Sequence, residues 1–186
     1  MKRKAFTLME ILLTIGIIGI VASLMIRVIT GIMPDVVKAR FLRAYTATKI
    51  IVYELINDNY LYPDTDITAA TYGFANTTGP TLGLYAGEGE FSGKGKFRAL
   101  FSDKLGLNSE GYSTRDNVTY DISDIAGDGS HTVTYKSMVN GVEKTLGSAK
   151  IAKDGGITCQ NSTDYSYCGS IEEMADLKRQ MEKGSE

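Results

Sequence analysis

Near its amino end the chain reads Lys2-Arg3-Lys4-Ala5-Phe6-Thr7-Leu8-Met9-Glu10, and an uncharged run from Ile11 to Ile26 follows. Thr14 and Ser23 are the only polar side chains in that run. Carried on through Arg27 to Met33, the segment from Phe6 makes about 42 Å of helix, more than the roughly 30 Å of a bilayer core. Three cations stand before it and almost none closely after, so the amino end should stay cytoplasmic while the remainder is exported. Two other readings stand beside a membrane anchor. A cleaved export signal, cut near Ala22 or Ser23, would have the same charged start and apolar centre. A buried core helix would have the same hydropathy, although a flanking basic cluster and so long an uncharged run fit it less well.

Whole-chain averages hide this segment. The 186 residues are 43% hydrophobic and 23% charged, with a net charge of -2. Those values exclude a disordered chain. The mildly acidic balance is the opposite of the basic footprint of a nucleic-acid binder, and no nucleic-acid partner is expected. Two Cys and one His leave almost no material for a Cys/His metal site.

The basic leader, the small residue and the Phe6-Thr7-Leu8-Met9-Glu10 opening of an apolar helix together resemble the class III leader of type IV prepilins and type II secretion pseudopilins. The resemblance implies cleavage between Ala5 and Phe6 by prepilin peptidase and methylation of the new Phe6 amine by the same enzyme. The family normally carries Gly where this chain has Ala5. It also implies a role for Glu10. A carboxylate in hydrocarbon needs a compensating charge. Its place in the first turn of the mature helix helps a little through the helix dipole. In the family the cation is the Phe6 amine of the next subunit, so that Glu10 sets the axial register of a filament. Losing Lys2, Arg3 and Lys4 would leave the exported part more acidic than the whole, with no sign of a polyanionic ligand.

Beyond Pro34, which should kink the axis, Val37, Phe41, Ala44, Tyr45, Thr48, Val52 and Leu55 recur at spacings of three and four and form one apolar face. Lys38, Arg40, Arg43 and Lys49 fall largely elsewhere, as a solvated face. The helix should end near Asn57-Asp58-Asn59, ahead of Pro63. Asp58-Asn59-Tyr60-Leu61-Tyr62-Pro63 loosely resembles the turn that follows the long helix in many pilins, with Tyr60 in place of a Gly.

From Gly73 onward lie 17 of the 20 Gly. Residues 64–95, rich in Thr, Gly and Ala, read as a surface loop with little regular structure, like the variable αβ-loop of pilins. The run Gly87 to Lys96 is not a phosphate loop: Glu88 occupies the first required Gly, and Gly95 stands where Ser or Thr must follow the Lys. Phe97 to Leu105 should form a short helix closed by Gly106. Val118, Tyr120 and Ile122 alternate with polar residues, as do Val133 and Tyr135. Asn140-Gly141 between Val133–Val139 and Val142–Ile151 is a strong hairpin signal, since both residues tolerate positive φ. An antiparallel sheet of three or four strands follows, one face covered by the helix.

Asp121, Asp124 and Asp128, beside Gly127 and Gly129, are weak calcium candidates. Their spacing is not that of an EF-hand, and Asp and Gly are common in turns. No cofactor is otherwise expected. His131 has no second His or Cys nearby and reads as a polar strand position. Cys159 and Cys168 should pair in an oxidising compartment. The resulting loop resembles the disulfide-bounded carboxy-terminal region of type IVa pilins. Ser170-Ile171-Glu172-Glu173 has a capping-box pattern, and Ile171, Met174, Leu177 and Met181 form a short apolar stripe. The N-x-Thr sequons at Asn76, Asn117 and Asn161 carry little meaning in a bacterial chain, which the leader implies.

The expected organisation is a leader at 1–5, a transmembrane or filament-core helix at 6–33, its amphipathic continuation at 34–59, an αβ-loop region at 60–112, a sheet at 113–158 and a disulfide loop with a terminal helix at 159–186. The expected fold is α+β and pilin-like: a long amino-terminal helix packed on a small antiparallel sheet. No nucleophile–base pair, metal cluster or cofactor loop emerges, so no enzyme is expected. The resemblance implies a structural subunit of a type IV pilus-like filament, for surface attachment, motility or DNA uptake. Its precursor would sit in the bacterial inner membrane. Its partners would be copies of itself or other pilins, the prepilin peptidase/methyltransferase, the assembly ATPase and inner-membrane platform proteins. Type II secretion pseudopilin is one alternative; a single-pass anchored exported binding domain is another, and a hydrolase a third.

Overall fold

The computed structural model describes residues 8–63, 70–173 and 175, with side chains described for Met9 to Ser23 and, within those ranges, from Val36 onward except at Met174. Its first element, α1 (Leu8–Ile56), is helical through Pro34 and ends one residue before Asn57. The chain divides into two compact units, one reaching to Val36 and the other beginning at Val37.

In the first unit, consecutive apolar residues place side chains on every side of the helix. Ile11, Leu12, Leu13, Ile15, Ile17, Ile18 and Ile20 are all exposed in the single chain. Such a helix has no polar face to give to water. Among the described residues no helix is long and apolar enough to cross a membrane. Of the segment expected to do so, 6–33, only Met9 to Ser23 have described side chains.

The second unit is α+β. Five strands form one antiparallel sheet in sequence order: β1 (Tyr112–Ser113), β2 (Val118–Ile122), β3 (His131–Val139), β4 (Val142–Ile151) and β5 (Ile157–Asn161). Val118, Tyr120, Ile122, Val133, Tyr135, Leu146, Ala149 and Ile151 point to one core. The face of α1 read from its spacing (Val37, Phe41, Ala44, Tyr45, Thr48, Val52 and Leu55) is buried against that core, together with Ile51. The Phe41 and Tyr135 rings meet edge to face at 5.6 Å. The Tyr135 hydroxyl donates to Thr48 Oγ1 at 2.9 Å, and Thr48 donates in turn to Ala44 O at 3.0 Å. A polar pair is thus satisfied inside the helix–sheet interface. Opposite Phe41, where the β3–β4 register shifts, the sheet carries Gly147. A Cβ there would stand 2.8 Å from Phe41 Cε2, so a side chain would push the helix off the sheet.

The β3–β4 turn is Asn140-Gly141, with φ of 52° and 77°, the mirror-image turn that suits strand twist. The sheet exceeds the expected three or four strands at both edges. β1 has only two residues, too few to show alternation. β5 is polar at Thr158, Gln160 and Asn161, and its apolar members Ile157 and Cys159 are only partly buried.

Between helix and sheet, α2 (Lys96–Leu105) closes at Gly106, whose φ is 66°. Leu107 N–H returns to Ser102 O at 2.9 Å. The preceding residues depart from the expected surface loop. They form three single-turn 3-10 helices, at Gly73–Ala75, Gly89–Phe91 and Gly93–Gly95. Phe74, Tyr85 and Phe91 are buried in the core. None of the three belongs to a run of regularly spaced apolar residues, so no periodicity announces it.

Candidate functional site

The expected cleavage pair, Ala5 and Phe6, lies outside the described residues. Glu10 lies in the first turn of α1. Along the apolar run, Thr14 Oγ1 donates to Ile11 O and Ser23 Oγ to Ile20 O, both at 2.8 Å. The two hydroxyls are thereby satisfied within the helix, and from Ile11 to Ser23 no side-chain polar group is left needing water. The helix therefore presents a continuous apolar surface, of the kind that marks contact with lipid or another protein.

At the other end of the chain Cys159 and Cys168 form a disulfide with Cα atoms 5.7 Å apart. It ties β5 to a helical segment at 168–173. That segment begins two residues before Ser170, so the expected capping box is not its cap. Instead Asn161 Oδ1 accepts the Cys168 N–H at 2.9 Å. An acceptor from the edge strand satisfies one of the orphan donors at the start of the segment. The enclosed loop lays Tyr167 on Phe41, ring centroids 5.6 Å apart, and stacks Tyr165 on Tyr167 at 5.1 Å. Ile171 is half-buried on the core, whereas Met174, Leu177 and Met181 have no described side chain.

The three calcium candidates do not converge. Asp121 pairs with Lys136 at 2.8 Å, Asp124 with Arg98 at 3.4 Å and Asp128 with Lys150 at 2.8 Å. The Lys150 ammonium, then the Ser130 hydroxyl and N–H, hold the Asp128 carboxyl well below the usual carboxylate range. Among the described residues no three His, Cys, Asp or Glu side chains gather as a metal site. His131 does start a strand, but it is buried rather than solvated, stacked on Phe97 at 4.4 Å. Burial lowers its pKa, opposed by hydrogen-bond contacts to Ser123 O and Phe74 O. A neutral imidazole packed in the core is the result.

One buried polar cluster escaped the sequence reading. Lys96 is only 2% exposed. Its ammonium donates to Leu61 O and, at 2.8 Å, to Thr78 O. It also stands 4.2 Å above the Tyr62 ring. Burial brings its pKa down to about 8. The Tyr62 hydroxyl is buried with no hydrogen-bond partner among the described residues, and burial raises its pKa. Lys96 thus staples the turn after α1 to the 70–95 segment. Although it follows a glycine-rich run, the side chain points into the core. Only its place just ahead of the apolar face of α2 (Phe97, Leu100 and Phe101) could have hinted at this.

No protein-family model, curated protein or solved structure matches the chain.

Proposed function

We propose that the chain is a type IV pilin-like subunit, made as an inner-membrane precursor, cleaved between Ala5 and Phe6, methylated at Phe6 and polymerised through its amino-terminal helix. The observation that carries this reading is the sequence Ala5-Phe6-Thr7-Leu8-Met9-Glu10 running directly into α1. Two features support it. The exposed surface of α1 from Ile11 to Val21 is apolar but for Thr14, whose hydroxyl bonds back to Ile11 O. Residues 37–56 of the same helix cover an antiparallel sheet that ends in a disulfide-closed loop. In this reading Glu10 pairs with the Phe6 amine of the next subunit, and the partners are other pilin-like chains, the peptidase/methyltransferase, the assembly ATPase and the platform proteins. The disulfide loop favours a pilus over a type II secretion pseudopilus, because many major pseudopilins lack one.

Mass spectrometry of the mature amino terminus tests the proposal. Methylated Phe6 is the expected result, and a terminus near Ser23 or Leu24 would overturn it. Glu10→Ala should abolish filaments in electron micrographs while leaving the thermal unfolding of the second unit unchanged. Secretion assays on a deletion strain separate pilus from piston.

A further inference from the structure

Residues opposite each other in an antiparallel ladder share a face of the sheet. Cys159 and Ile157 lie opposite Ala149 and Ile151, which are buried in the core under α1. The disulfide therefore brings Cys168 to the α1 side of β5. Helix N–H groups point back toward the amino end. Cys168 N–H donates to Asn161 Oδ1, so the helical segment that starts there leads away from Asn161. Ile171, about one turn on, is half-buried on the core, which keeps the axis along the sheet. Beyond it, still within the second unit, lies a trough of about 810 Å³, lined by Lys49, Tyr53 and Asn57 of α1 and by Gly155 and Ile157. α1 runs antiparallel to β5 along this trough. A Cβ on Gly147 would meet Phe41 and Gln160, whereas one on Gly155 would meet Ile56. At the rim Tyr53 is 71% exposed, although its neighbours Val52 and Leu55 are fully packed.

We infer that residues 174–183 continue this helix into the trough, as a strap that the chain's own carboxy-terminal segment closes over α1. Met174, Leu177 and Met181 carry on the apolar stripe that Ile171 begins, at helical spacing. From Ile171 to Met181 a helix rises about 15 Å, and the trough from Lys49 to Asn57 runs about 12 Å, so the stripe reaches its far end. The charges fall in complementary order. Along the trough Lys49 comes first, then Glu54 and Asp154. Along the segment Glu172, Glu173 and Asp176 come first, then Lys178, Arg179 and Lys183. Glu54 has only an exposed contact at 4.0 Å with Lys104 to give up. The Cys159–Cys168 tether holds this occupant beside the trough at high local concentration, an advantage no separate chain has. Closed, the strap covers Tyr53 and Ile157 and withholds that face of α1 from partners; open, it offers them. Leader cleavage and the pilin reading play no part in this.

Thiol labelling of the full-length chain in detergent, with Cys159–Cys168 intact, tests it. Tyr53→Cys should react with a maleimide about tenfold more slowly in the full-length chain than in one ended after Glu173. Leu177→Asp in the full-length chain should restore the faster rate without removing any residue. Leu84→Cys, on an exposed loop, should react at one rate in all three backgrounds, which separates strap opening from loss of fold. Tyr53→Cys combined with Leu177→Cys should close a disulfide within the monomer. Equal labelling of Tyr53→Cys with and without residues 174–186 would overturn the inference. So would a change at Leu84→Cys as large as that at Tyr53→Cys. Protection that grows with protein concentration, or a bridge from 53 to 177 found only between chains, would overturn it in favour of a segment exchanged between copies.

Discussion

The sheet and the 70–111 segment enclose the same core by different means. The sheet does it by repetition: alternate residues of β2 and β3 point inward, as do those of β4 beyond its irregularity at Leu146-Gly147, and each strand pairs with its neighbour in sequence. The 70–111 segment does it with anchors. Phe74, Tyr85 and Phe91 each dip into the core from irregular backbone, α2 adds Phe97, Leu100 and Phe101, and Lys96 ties two carbonyls together from inside. A periodic region distributes its stability over many small equivalent contacts. An anchored region concentrates it in a few side chains, so the two should respond differently to single substitutions.

The largest effect should come from Phe97→Ala. Phe97 touches the Phe74, Phe101 and His131 rings, and truncation should cost about 3–5 kcal/mol in denaturant unfolding. A loss below about 1 kcal/mol would break the comparison, because the segment would then be merely draped on the core. Replacing Cys159 and Cys168 together by Ser should cost about 2.5 kcal/mol, from the chain entropy of so short a loop, with Tyr167 released from Phe41. Differential scanning calorimetry with and without reductant checks it.

A pH effect sharpens the contrast further. Lys96 has a folded-state pKa of about 8, below the ordinary lysine value of 10.5. Between those two values the unfolded chain binds more protons than the folded one, so this group makes stability rise with pH across that window. The slope is at most about 1.4 kcal/mol per pH unit. Denaturant melts from pH 8 to 9.5, taken against Lys96→Met, isolate it below the range where tyrosines ionise. The smallest effects come from a matched pair of buried tyrosines. Tyr135→Phe removes a made hydrogen bond to Thr48 and should cost about 1 kcal/mol. Tyr62→Phe removes a hydroxyl that has no partner and should be neutral or slightly stabilising. Equal costs for the two would erase the distinction.

The same contrast explains what could be read from residues alone. The buried face of α1 repeats every three to four residues, so each of its seven members was identifiable. Asn140-Gly141 and Gly106 declare their turns because only certain residues accept positive φ. Phe74 and Phe91 have no such companions. Their burial is decided by partners distant in sequence, and an aromatic outside any periodic run has the same local signature whether it ends inside or outside. Lys96 is the extreme case, since its burial depends on carbonyls of Leu61 and Thr78 meeting over Tyr62. β5 was missed because its outer residues are polar and its cysteine drew it into the disulfide loop. On the candidate functional surface, the apolar run and the Cys159–Cys168 pair were legible.

The edge position of β5 carries a consequence for aggregation. No backbone group of its five residues bonds away from β4 among the described residues, which leaves a template on which another chain could add a strand. Asn161, its last residue, instead caps the helical segment that the disulfide holds in place. Reduction would release that segment beside the open edge at the moment the chain loses stability. Oxidation of Cys159 and Cys168 therefore steadies one of the two edges of the sheet against disordered clumping.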